Sequence, residues 1–121
     1  MKLTVTKAFL EEIMGQYSNG RAFCGYAEQS KIIAIPIPKF YVIVLDHTTL
    51  TLVQLDLKIQ EKAVTVIPIE SIEQLDISGL YFKKIVLKTN HQTYKLIIRP
   101  YIIGIKEYQR NLISALERIH R

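Results

Sequence analysis

Three histidines (His47, His91 and His120), one cysteine (Cys24) and 11 carboxylates are the side chains of this 121-residue chain that could carry acid–base, nucleophilic or metal chemistry. A cysteine nucleophile needs a base within hydrogen-bond reach. Cys24 lies in a stretch of strand texture, where a free cysteine acts as a small hydrophobe. His47 and His91 fall in turn-forming stretches and His120 at the end of a helical one, so the three are not expected to converge. Glu11-Glu12 and Glu70-Ser71-Ile72-Glu73 have no histidine at catalytic or ligand spacing, and Glu70 reads as a turn support. Gly15, Gly20, Gly25, Gly79 and Gly104 are isolated, so no phosphate loop is present. A lone cysteine excludes an intramolecular disulfide and a cysteine-based zinc cluster. The expectation is a non-enzyme with no catalytic residue, metal, cofactor or small-molecule substrate.

Cations are the second resource. Lys and Arg total 16, the formal charge is +5 and the pI about 9.4, which favours acidic partners. They are scattered, with Lys83–Lys84 the only adjacent pair, as on a solvated surface. The candidate anionic-ligand residues are Lys31 and Lys39, with Lys84, Lys88, Lys95 and Arg99. The last four share one face with Val86 and Ile97 rather than with stacking aromatics, so nucleic acid is not the expected partner. An apolar segment, Ile32 to Pro38, lies between Lys31 and Lys39. If it runs extended, Ile33, Ile35 and Ile37 share a face, and Pro36 and Pro38 limit its freedom and its strand pairing. These isoleucines are the candidate protein-contact residues.

The elements that must position these groups follow from periodicity. Thr6 to Tyr17 predicts a helix, capped by Thr6, with Phe9, Leu10, Ile13, Met14 and Tyr17 on one stripe and Ser18-Asn19-Gly20 as its stop. Strands are predicted near Ala22–Gln29, Phe40–Leu45, Thr49–Asp56, Ala63–Ile67, Ile72–Ile77, Tyr81–Lys88 and Thr93–Ile98. Turns are expected at Asp46-His47-Thr48, Ser78-Gly79 and Asn90-His91. With Asn90-His91 as loop residues, Leu87 pairs Tyr94 and Ile85 pairs Leu96 on a core face. Ile105 to His120 predicts an amphipathic helix whose stripe of Ile105, Tyr108, Leu112, Ile113, Leu116 and Ile119 must be buried on the sheet, with Glu117 and Arg121 spaced for an ion pair. Phe40 to Leu45 is apolar on both parities, so either the first helix or another subunit covers its second face. Met1–Leu10 has no apolar core of signal-peptide length, and no run approaches the roughly 18 residues of a membrane span, so a cytoplasmic protein is expected.

Phe40 to Asp46, a turn, and Leu50-Thr51-Leu52-Val53 resemble the second and third strands of bacterial pleckstrin-homology-like (PH-like) and GRAM-like domains. Ile67-Pro68-Ile69-Glu70-Ser71-Ile72-Glu73-Gln74-Leu75 is similar to their strand, proline, short turn and strand. Phe82 to Ile98 resembles their last hairpin, and Ile105 to Ile119 their closing helix. The resemblance spans residues 21–120. It implies an α+β, mainly β, architecture: a bent seven-stranded antiparallel sheet or partial barrel closed by a C-terminal helix. Residues 1–20 would be a helical extension of a domain formed by 21–121, the whole one structural unit. It also implies a non-catalytic module; members bind phosphoinositides or proteins, and several self-assemble. Lipid-binding members carry a basic-x-arginine triplet on this loop, and Tyr41 stands where the arginine would fall. The expected function is protein binding or homo-oligomer formation through the apolar loop. The alternative is a peripheral membrane module that binds anionic headgroups.

Overall fold

The computed structural model describes residues 5–18, 22–30 and 39–119. The chain runs α1 (Lys7–Tyr17), β1 (Phe23–Gln29), β2 (Phe40–Leu45), β3 (Thr49–Leu55), β4 (Glu61–Pro68), a 3-10 turn (Ile69–Ser71), β5 (Ile72–Ser78), β6 (Lys83–Thr89), β7 (Thr93–Ile98) and α2 (Lys106–Ile119). The strands form one seven-stranded sheet in the order β4-β3-β2-β1-β7-β6-β5, with every pair antiparallel. The fold class implied by the resemblance is the one observed.

Local chemistry accounts for the elements. The Thr6 hydroxyl accepts the Phe9 amide at 3.2 Å and starts α1. Asp46 makes the β2–β3 turn, its Oδ1 accepting the amides of Thr48 and Thr49, each at 2.9 Å. Burial pushes the Asp46 carboxyl up, but hydrogen bonds from both threonines outweigh it and hold the carboxyl below its ordinary value. The last hairpin has the expected register, Leu87 opposite Tyr94 and Ile85 opposite Leu96. Two strands start two residues away from the expected position: β4 begins at Glu61, not Ala63, and β6 at Lys83, not Tyr81. Gly79 makes the preceding turn at φ 114°, and a Cβ there would lie 2.1 Å from the Phe82 carbonyl oxygen, so only glycine fits. Leu80, Tyr81 and Phe82 are therefore loop residues.

Two apolar cores lie on opposite faces of the sheet. The larger packs Leu112, Ile113, Ala115 and Leu116 of α2 against Ile43, Leu52, Leu75, Leu87 and Ile98. The smaller packs Leu10 and Ile13 of α1 with Val42, Val44, Val53, Leu55 and Ile105. Both parities of β2 are thus buried within one chain, and α1, not a second subunit, covers the second face. Two hydroxyl–carboxylate bonds tie α1 down: Tyr17 to Glu61 at 2.5 Å and Tyr108 to Glu11 at 2.6 Å. Each bond raises its phenol pKa, that of Tyr108 to about 12, chiefly through the carboxylate that accepts it.

The sheet's two meanders meet at a sparse seam. Among the described residues β1 and β7 pair at Glu28–Ile97 and Gln29–Leu96, and the Ser30 amide donates to the Lys95 carbonyl at 2.8 Å. Beyond them the fully buried Gln109 of α2 takes over. Its Oε1 accepts the Tyr26 amide at 2.6 Å, and its Nε2 donates to the carbonyls of Tyr26 (2.8 Å) and Arg99 (3.1 Å). The approach requires Gly25, where a Cβ would lie 2.6 Å from Gln109 Oε1 and 2.8 Å from Leu112 Cδ2.

Candidate functional site

The groups capable of acid–base chemistry stay apart. Cys24 is buried, its thiol pushed up to about 11 by burial and then by the charge of Glu11. His47 and His91 are exposed in separate turns, and His120 lies outside the described residues. Among the described residues no group of three metal-ligating side chains forms. An open groove of about 490 Å³ between the β2–β3 turn and the end of α2 holds Asp46 and His47. Asp46 is already engaged by its turn, and Arg118 there lies 5.4 Å from the Phe23 ring centroid.

The cations separate into two places. Lys84, Lys88, Lys95 and Arg99 lie exposed on the outer face of the β6–β7 hairpin, with Val86 and Ile97 half-buried between them. This face is less basic than the hairpin alone suggested. Asp76 of β5 stands opposite Val86, and its carboxylate accepts from Gln74. Arg99 is engaged as well: its guanidinium meets Glu28 Oε1 at 2.7 Å and lies 5.6 Å from the Phe82 centroid. Lys31, Ile33, Ile35 and Ile37 lie outside the described residues.

Lys39 belongs to the second place. Its carbonyl accepts the Gln29 amide at 2.7 Å, and its amide donates to the Gln29 side chain at 3.2 Å, which pins the base of the connection between β1 and β2. Beside it the β3–β4 turn is built on Asp56, whose Oδ1 accepts the amides of Lys58 (2.8 Å) and Gln60 (3.0 Å). Together they line an open cleft of about 600 Å³ that includes Lys39, Phe40, Leu57, Lys58 and Lys62. Leu57 projects into solvent there. Ile59 holds φ 58°, a left-handed conformation that costs a β-branched residue of order 1 kcal/mol or more. Packing of Ile59 into the smaller core holds it there, leaving Leu57 outward. Sequence reasoning missed Lys58 and Lys62; the signal was the Asp56 turn chemistry, which sets both beside the base of the apolar connection.

No protein-family model matches the chain, and no curated protein matches it in sequence. Among solved structures, the solution structure of the N-terminal PH domain of human ARAP2 is similar, with a TM-score of 0.50 at 16% identity. The likeness covers 84% of this chain and 81% of that one. The fold is PH-like. At that identity the likeness is one of architecture alone. No helix among the described residues is long and apolar enough to cross a membrane.

Proposed function

We propose that this PH-like domain is a non-catalytic interaction module. It binds a protein, or a second copy of itself, at the end of the sheet that carries the β1–β2 and β3–β4 connections. The observation that carries this reading is the cleft of Lys39, Phe40, Leu57 and Lys58, open to solvent and supported by the strained Ile59. The apolar segment with Ile33, Ile35 and Ile37 connects Ser30 to Lys39, and Lys39, which lines the cleft, is hydrogen-bonded to Gln29. Backbone strain persists where surrounding packing enforces it, and such positions cluster at contact sites. The two prolines of that segment lower its ordering cost on binding.

Solution mass tests this. The wild type is expected to self-associate or to retain a partner, and Ile35→Asp with Ile37→Asp should abolish that while the melting temperature stays within a few degrees. Unfolding of the double variant would place those side chains in the chain's own core and overturn the reading. A second reading rests on the cleft's lysines. Lys39, Lys58 and Lys62 face one space with a single carboxylate, Asp56, and suit an anionic membrane surface at the same end. Charge reversal of the three should then abolish vesicle cosedimentation that falls with rising salt.

A further inference from the structure

We propose that the opposite side of the domain, the paired β5–β6 and β7–α2 connections, is a surface that inserts into an anionic lipid bilayer. Four side chains there are the most exposed large apolar groups of the described residues. Leu80 is 89% exposed, Tyr81 86%, Tyr101 70% and Ile103 98%, with Phe82 at 42%. A small monomer seldom leaves so many adjacent apolar groups wet. The ladder sets the two connections side by side: the last β6–β7 pair is Lys83–Ile98, so Phe82 follows beside Arg99, and Arg99 lies over the Phe82 ring. Gly79 fixes the first loop through its closed turn, and Tyr101 is held under Lys106 with the ammonium 5.5 Å from the ring centroid.

The composition selects a bilayer over a protein groove. Tyrosines at the rim of an aliphatic tip suit the headgroup boundary, where one end of the ring is wet and the other apolar. Leu80 and Ile103 are the tips. The strand and helix ends that flank the two connections carry the exposed cations Lys84, Arg99, Lys106 and Arg110 and the half-buried Lys83, whose ammonium donates to the Gly79 carbonyl at 3.1 Å. Glu107 is exposed near them, and Glu28 is paired with Arg99. Each free cation near an anionic leaflet adds about fivefold to partitioning. This surface is separate from the cleft of the proposed function.

The chain contains no tryptophan, so a single introduced indole reports on its own position. Tyr81→Trp and Leu57→Trp mark the two ends. With vesicles of phosphatidylcholine and phosphatidylserine, Tyr81→Trp emission should shift to the blue and be quenched by brominated lipid, while Leu57→Trp stays silent. Pure phosphatidylcholine should weaken binding by about tenfold or more, since several cations contribute. Leu80→Asp with Ile103→Asp should abolish cosedimentation, with an unchanged melting temperature as the folding control. A blue shift at Leu57→Trp alone would move the membrane surface to the cleft end and overturn the proposal, while supporting the lysine reading of that cleft. Failure of the wild type to sediment with anionic vesicles would also overturn it. So would loss of self-association in the Leu80→Asp/Ile103→Asp variant without any vesicle binding, which would assign the patch to a protein contact.

Discussion

Gly25 and Cys24 sit next to each other in β1 and face opposite cores. Gly25→Ala puts a methyl within 3 Å of both Gln109 and Leu112, so destabilisation of about 1–3 kcal/mol is expected, read as a lower urea midpoint at unchanged slope. Cys24 ionises at about 11 in the folded chain against an ordinary 9.0. A thiol reagent should therefore label it only at the rate of unfolding. The protonated, buried thiol therefore contributes stability that is fully present below pH 9.0 and lost as pH rises through about 11. Tyr26, raised to about 12 first by burial, acts in the same direction at higher pH. An alkaline titration should show late phenolate absorbance together with loss of structure. The strand position and burial of Cys24 were legible in the sequence. Gln109 was not: a glutamine on a helix reads as solvent-facing, and only the divergence of β1 from β7 creates the backbone groups it satisfies.

Helix α2 closes the larger core, and Leu116 is fully buried in it. Leu116→Ala should cost about 2–5 kcal/mol in chemical denaturation. An unchanged midpoint would mean that the helix is not docked. For α1 the expected effect is smaller and more local. Tyr17→Phe removes the bond to the exposed Glu61, so a loss of about 0.5–1.5 kcal/mol or less is expected. Strands and helices were legible because their apolar periods are clean, and the last hairpin's register followed from its two-residue loop. The start of β6 was misread because Tyr81 and Phe82 have strand propensity; the closed turn at Gly79 decides against them. Which partner covers β2 was open in the sequence, since a both-sided apolar strand looks the same under a helix of its own chain or under another subunit.

At the scale of the molecule, the seam between the two meanders β1–β4 and β5–β7 holds two strand pairs, the Ser30–Lys95 backbone bond, the Arg99–Glu28 ion pair and the side-chain amide of Gln109. Gln109→Glu tests that amide. The carboxylate would replace the donor that faces the carbonyls of Tyr26 and Arg99, while the protonated acid could still donate. Its folded pKa should therefore be raised, so stability is retained in acid and lost as pH rises toward neutrality. A melting temperature that falls by several degrees between about pH 4 and pH 7, against a flat wild type, is the expected result. The overall architecture was legible in the sequence, whereas the surfaces were not. The cleft lysines and the Leu80–Ile103 patch come from different segments that strand pairing sets side by side. The seam also sets a sequence of events. Hairpins within each meander close over short loops, but Glu28 must find Ile97 across most of the chain. Loop-closure entropy makes that encounter slow, and α2 can seat Gln109 only once it has happened. Folding should therefore be timed by the seam: Gln109→Ala should leave the refolding rate nearly unchanged and raise the unfolding rate by about tenfold or more. The joint that forms last in this molecule is the first to open.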